Sequence, residues 1–226
     1  MCVAIALPAN VDIRENVLRG CYEANSDGAG FGYYNAKGEQ VIVKGLMQWQ
    51  PFLEVFNEHR NANKDKNFLV HFRIRTQGAR NDANCHPFPL KNGIIIHNGS
   101  VNGLGETNYG ANYMTAKSDT AEFAEAIYNI PKNRFSLAAT KLKDIITWGA
   151  VYMLDRKGNF HFVGAKTEKE GAIFSNTHWE HRARAFDGNS TRPTYDRAVR
   201  TMGSGWLGSD NDEEDPLGVY RNGMGD

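Results

Sequence analysis

Two spacings of apolar residues interleave along this chain, and their order predicts its elements. Val3 to Leu7 is an unbroken apolar run with β-branched Val3 and Ile5, stopped by Pro8, which reads as a strand starting at Cys2. From Asp12 to Ala24 the pattern changes: Ile13, Val17, Cys21 and Ala24 recur at helical spacing behind a capping Asn10 or Asp12. Phe31 to Asn35 and Gln40 to Lys44 are β-rich segments joined by Ala36-Lys37-Gly38-Glu39, a hairpin. Pro51 opens a helix with Phe52, Val55, Phe56 and His59 on one side, His59 reading as a helix-surface histidine. Phe68 to Arg73 and Ile94 to His97 are buried strands, separated by a Gly-, Asn- and Pro-rich connection from Gly78 to Gly93 that is long enough to cover a pocket.

In the second half, Ser118 or Asp119 starts a helix through Phe123 and Ile127, and Phe135 to Ile146 reads as another. Val151 to Leu154 and Asn159 to Val163 flank Asp155-Arg156-Lys157-Gly158 as a second hairpin, and Ala172 to Ser175 is one more strand. Strands near both ends with helix pairs between them predict an α+β sandwich. Beyond Trp179 the pattern fades into basic, polar and then acidic stretches, so the expected division is a domain over 2–178 and a polar tail over 179–226. A solvated tail and an acidic peptide that docks on a partner, with Trp206 and Leu207 beside the acidic run, both fit that composition.

At 226 residues and 41% hydrophobic composition the chain can bury a real core. Lys+Arg and Asp+Glu are both 26, which gives no electrostatic reason to expect nucleic acid or a membrane as partner. Three cysteines, Cys2, Cys21 and Cys85, make no even disulfide framework, and no apolar run reaches the roughly 18 residues of a membrane span. Without a secretory pattern at the start, a cytoplasmic location is expected. Cys21, on the apolar face of its helix, reads as a small hydrophobe.

Candidate chemistry starts at the second position. Removal of Met1 would leave a thiol and a free α-amine on Cys2, so nucleophile and base would share one residue. An α-amine titrates near ~7.7, whereas a lysine near ~10.4 stays protonated at working pH. Asn25-Ser26-Asp27-Gly28-Ala29-Gly30-Phe31-Gly32 is a glycine-rich turn entering a strand, and it lacks the Gly-Lys-Ser/Thr of a phosphate loop. Arg73 and Arg75 follow a strand, where a guanidinium either captures a carboxylate or lies on a solvated face. Asn98-Gly99 offers a side-chain amide and an unshielded backbone N–H, which suit either an oxyanion hole or a tight turn. Cys85, His86 and His97 invite a zinc reading, but they lack ligand-pair spacing, and no metal is expected. Ser118 and Asp119 suit a helix cap or a site for a substrate ammonium.

In this order, the motifs resemble the class II glutamine amidotransferase domain of the N-terminal nucleophile hydrolases. Cys2 matches the nucleophile and Asn25 to Gly32 is similar to Asn/Arg-x-Asp-Gly-x-Gly. His71 to Gly78 resembles His-x-Arg-x-Ala-Thr-x-Gly, Asn84 to Phe88 resembles Asn-x-His-Pro-Phe, and His97 to Gly99 with Asn102 resembles His-Asn-Gly-x-x-x-Asn. Ser118 to Thr120 matches Ser-Asp-Thr. The small bacterial and phage members are the most similar in form. The resemblance implies a four-layer αββα sandwich and a glutaminase in which Cys2 forms a glutamyl thioester. It further implies that Asn98 and Gly99 hold the oxyanion, Arg73 and Asp119 bind the substrate's α-carboxylate and α-ammonium, Thr76 and Gly78 line the pocket, and His97 packs behind the oxyanion hole. No cofactor is implied. Arg75 stands where the family commonly has alanine. No acceptor domain follows, so the expected partners are glutamine and a separate synthase or acceptor subunit. A hydrolase of another amide, and a non-catalytic binding protein that keeps the fold, are the alternatives.

Overall fold

In the computed structural model, residues 1–101, 104, 116–131, 134–135 and 146–187 are described. They build two antiparallel sheets. The first has the order β3-β2-β4-β1-β10-β9 and is made of β1 (Val3–Leu7), β2 (Ala29–Tyr34), β3 (Gln40–Leu46), β4 (Phe68–Phe72), β9 (Thr167–Lys169) and β10 (Ala172–Phe174). The second has the order β5-β6-β7-β8, from β5 (Phe88–Leu90), β6 (Gly93–Val101), β7 (Ile146–Asp155) and β8 (Phe160–Gly164). Helices α1 (Glu15–Ala24) and α2 (Trp49–Ala62) belong with the first sheet and α3 (Asp119–Ala126) with the second.

Strand periodicity explains the layering. Val3, Ile5 and Leu7 of β1 join Phe68, Val70 and Phe72 of β4 in a core shared with Val17, Leu18 and Cys21 of α1 and Phe52 and Phe56 of α2. Ala4, Ala6 and Leu69 turn the other way and meet Ile94, Ile96, Ala150, Tyr152 and Leu154 of the second sheet. Ile95, Val151 and Met153 face outward again, onto Ala121, Phe123 and Ala124 of α3. Three apolar clusters thus separate helix, sheet, sheet and helix. The alanines of β1 bring the sheets together, and its larger residues fill the space under the helices.

Several elements begin elsewhere than the sequence pattern predicts. Helix α1 starts at Glu15 behind Arg14, with no side-chain cap, so neither Asn10 nor Asp12 caps it. Val11 and Ile13 instead lead the chain in by packing on the core. Helix α2 starts at Trp49, ahead of Pro51, which falls among the first four positions, where a missing N–H costs no helical bond. His59 is half-buried and bonds the Tyr33 hydroxyl through Nδ1 at 2.9 Å. Of the helix expected over Phe135 to Ile146, residues 136–145 lie outside the described residues, and Ile146 opens β7, paired with Val101. Trp179 is buried, Glu180–Ala183 forms a short helix α4 and Arg184–Phe186 a 3-10 turn, so the segment after 178 packs on α1 rather than departing from the domain at once. Residues 188–226 lie outside the described residues, and with them the acidic run. Among the described residues no helix is long and apolar enough to cross a membrane.

Candidate active site

Cys2 precedes β1, the fourth strand of the six-stranded sheet, with β4 and β10 as its neighbours. By strand alternation it shares the inner face of Ala4 and Ala6, turned toward the second sheet. Asn98 shares the inner face of Ile94 and Ile96, turned toward the first. Period two therefore turns the side chains of Cys2 and Asn98 into the layer between the facing sheets. Cys2 is half-buried, and its Sγ lies 3.4 Å from both the N–H and the carbonyl oxygen of Ile74. Burial pushes the thiol above the 9.0 of an ordinary cysteine, against the bond to Ile74 and the positive field of Arg73, and Asp119 pushes it further up. Met1 is 48% exposed, and while it is attached the Cys2 nitrogen belongs to a peptide bond and is no base.

The loop after β4 is held in place by two motifs. Asp27 and Gly28 exchange backbone bonds with Arg73, and the Asp27 carboxylate accepts the Arg75 N–H at 2.8 Å and pairs with Arg80 at 2.9 Å. Gly28 has φ of 125°, and a Cβ there would collide with Cys85 Sγ, so this turn needs glycine. Asn84, fully enclosed, donates to the carbonyls of Ala79 and Ala116 at 3.0 and 2.8 Å and accepts the Ser118 N–H at 2.7 Å. It ties the loop to the start of α3. Ser118 caps that helix by accepting the Ala121 N–H at 3.2 Å. Asp119 receives the Val101 N–H at 2.8 Å and the Thr120 N–H at 2.7 Å.

Arg73 is 3% exposed and gives two of its five N–H groups to the carbonyls of Ala79 and Gln77, at 3.0 and 2.8 Å. Its charge and that of Asp119 are both felt at Cys2, so the fold gathers the three groups in one electrostatic neighbourhood. Thr76 and Gly78 lie on the same loop, Thr76 exposed and Gly78 close against Ser118. Arg75 is exposed as a residue. Asn102 lies outside the described residues.

Three buried histidines back the site. His71 Nε2 bonds the His97 carbonyl at 2.9 Å, His86 Nδ1 accepts the His97 N–H at 3.1 Å, and the His71 and His86 rings stack at 3.9 Å. His97 Nδ1 meets Thr120 Oγ1 at 2.9 Å. Two imidazoles thereby grip the backbone of the residue preceding Asn98. Burial holds His71 at about 3 and His97 at about 4, and it holds His86 well below the usual range. Gly149, with φ of 105°, lies against the Asn98 carbonyl, where a Cβ would have no room.

Two residues that carried no signal in the sequence complete the arrangement. Ser175 Oγ accepts the Ala4 N–H at 3.0 Å and lies 3.1 Å from the Asn98 amide; Asn176 Nδ2 donates to the Cys2 carbonyl at 2.8 Å. The strand pattern ending at Ser175 located the segment but not its use. Among the described residues no group of histidine, cysteine and carboxylate side chains is arranged to hold a metal ion. A separate cleft of about 400 Å³, lined by Lys44, Phe88, Ala121 and Tyr128 among others, opens beside α3 and does not include Cys2.

The described residues thus form an α+β sandwich of two facing antiparallel sheets, with a cysteine before a central strand and the charges of Arg73 and Asp119 acting on it. The chain belongs to the class II glutamine amidotransferases, whose family matches residues 1–177. No curated protein matches it.

Proposed function

We propose that the protein is a glutamine-hydrolysing enzyme of the N-terminal nucleophile type, active once Met1 is removed. The freed α-amine of Cys2 takes the thiol proton as sulfur attacks the side-chain carbonyl carbon of glutamine. The Asn98 amide and the Gly99 N–H hold the resulting oxyanion. Collapse breaks the C–N bond, the α-ammonium returns its proton to the departing nitrogen, and ammonia leaves a glutamyl thioester. Water then adds to that thioester, and glutamate departs as the thiol is restored. Arg73 and Asp119 select the α-carboxylate and α-ammonium of the substrate, with Thr76 and Gly78 at the pocket wall. A separate synthase subunit would receive the ammonia.

The observation that carries this reading is the Cys2 thiol, seated on the backbone of Ile74 between the opposed fields of Arg73 and Asp119. Its raised pKa makes a dedicated base necessary at neutral pH, and a free terminal amine is that base. The test combines intact mass with a diazo-ketone analogue of glutamine. Loss of one methionine, one adduct mapped to Cys2 and no glutamate release from Cys2→Ala are expected. Undiminished glutamate release by Cys2→Ala refutes the proposal.

A second reading, hydrolysis of a different amide, is favoured by the bonds Arg73 and Asp119 already make to backbone groups of Gln77, Ala79, Val101 and Thr120. Turnover of glutamine reduced a hundredfold or more by Arg73→Ala, with the fold intact by circular dichroism, would set it aside.

A further inference from the structure

Ser175 lies one residue past β10, and its hydroxyl stands in for a strand carbonyl. Its own N–H donates to the Ala4 carbonyl at 2.9 Å, in line with the antiparallel register of β1 and β10. The return bond from the Ala4 N–H goes to Ser175 Oγ, at 3.0 Å. The hydroxyl is thereby fixed to the strand that carries Cys2, and the residue is 5% exposed. On its other side the same oxygen meets the carboxamide of Asn98 at 3.1 Å.

With the amide nitrogen toward Ser175, two groups go unsatisfied. Asn98 Oδ1 is buried without a partner, and Ser175 Oγ, accepting from Ala4, from Asn98 and, at 3.5 Å, from Asn176 Nδ2, leaves its hydroxyl proton without an acceptor among the described residues. Turning the carboxamide over exchanges its oxygen and nitrogen with no displacement of other atoms. Ser175 then accepts from Ala4 and donates to Asn98 Oδ1, which satisfies both groups. The amide nitrogen moves to the buried position that has no protein partner. A desolvated nitrogen with two unspent N–H groups is costly in the empty site and is repaid by an anion.

We infer that Ser175 is the positioning residue of the oxyanion hole: its hydroxyl, anchored by the Ala4 N–H, donates to the Asn98 carboxamide oxygen and presents Asn98 Nδ2 to the substrate. This rests on the oxyanion role proposed for Asn98. Asn176 extends the support, since its amide holds the Cys2 carbonyl at 2.8 Å. One dipeptide after β10 therefore sets both the nucleophile's backbone and the donor's side chain.

The test uses the full-length, Met1-processed protein. Ser175→Ala is expected to lower kcat for glutamate release about 30-fold with KM within about threefold, a share of the ~10²–10³ lost when an oxyanion donor is removed. Ser175→Thr, which keeps the hydroxyl, returns kcat to within about threefold of wild type. In an Asn98→Ala background, Ser175→Ala costs nothing further, because it acts through that amide. An equal loss in both backgrounds, or wild-type kcat in Ser175→Ala, overturns the inference. If Asn98→Ala alone leaves kcat unchanged, the oxyanion reading of Asn98 is what fails. A readout independent of turnover then decides on Ser175. The side-chain amide signal of Asn98 in ¹⁵N-asparagine-labelled protein, identified by its loss in Asn98→Ala, should shift in Ser175→Ala and return in Ser175→Thr, and an unmoved signal overturns the inference.

Discussion

Acidification from pH 7 to pH 5 should destabilise this protein through three histidines that stay uncharged in the folded state. Burial holds His71 at about 3 and His97 at about 4, and burial with the neighbouring imidazoles holds His86 well below the ordinary range. An unfolded histidine takes up its proton near ~6.5. Between that value and the folded ones the unfolded chain binds more protons, so stability is fully present above about 6.5 and is lost as pH falls. At pH 5 each group sits about 1.5 pH units below its unfolded pKa, which at ~1.36 kcal/mol per unit costs about 2 kcal/mol. His71 and His97 together cost roughly 4 kcal/mol, and His86 adds to the loss in the same direction, against a typical total of ~5–15 kcal/mol.

The surrounding charges do not reverse this sign. His71 faces Arg73 and His97, and His86 faces His71, His97, Arg73 and Lys44, all of which oppose protonation. Asp119 favours protonation of His97 but does not overcome burial there. Ordinary carboxylates titrate near ~4, so the interval from pH 6.5 to 5 belongs to the histidines. Urea unfolding followed by tryptophan fluorescence at pH 7, 6 and 5 measures the effect. Stability constant to within about 1 kcal/mol over that range, or rising toward pH 5, would refute the reasoning.

Three further outcomes follow from the geometry. Asn84→Ala strands the Ser118 N–H and takes one donor from each of the Ala79 and Ala116 carbonyls, which keep Arg73 and the Ala79 N–H as partners, and should cost about 1–3 kcal/mol in urea unfolding while raising KM for glutamine, as the loop bearing Arg73 loosens. Gly149→Ala should cost about 3 kcal/mol and depress kcat more than KM, because the added methyl meets the Asn98 carbonyl; a variant with wild-type kinetics would mean that β7 does not set Asn98. With Met1 retained, iodoacetamide should label Cys2 slowly at pH 7 and faster above pH 9, whereas the processed protein reacts at pH 7.5; equal rates would show that the terminal amine does not assist the thiol.

Much of the candidate site was open to proposal from the sequence because its residues occur in short ordered motifs. Cys2, Asp27-Gly28, Arg73 and Ser118-Asp119 each lie beside a strand end or at the start of a helix, places that periodicity and capping rules reveal, whereas Asn98-Gly99 lies within β6 and stands out by its residue types. Ser175 and Asn176 were not, since a serine and an asparagine after a strand look like an ordinary turn until β10 is paired with β1. The buried Arg60, which holds the carbonyls of Pro8, Val11 and Lys66, was hidden for a similar reason: its partners are backbone atoms, two of them distant in sequence. Helix starts shifted by two or three residues because packing by Val11, Ile13 and Trp49, and not a side-chain cap, decided where α1 and α2 begin.

The first strand lies between one partner from the first third of the chain, β4, and one that comes a hundred residues later, β10. Cys2 and Ala4 meet Ile74 at a separation of 72 residues and Ser175 at 171. Cys2 is synthesised long before Ser175 and Asn176, which hold the first strand from its other side. The surroundings of the Cys2 thiol are therefore complete only when the strand at Ala172–Phe174 has closed the sheet, so whatever reactivity that environment gives the thiol is a property of the finished domain and not of the segment that carries it.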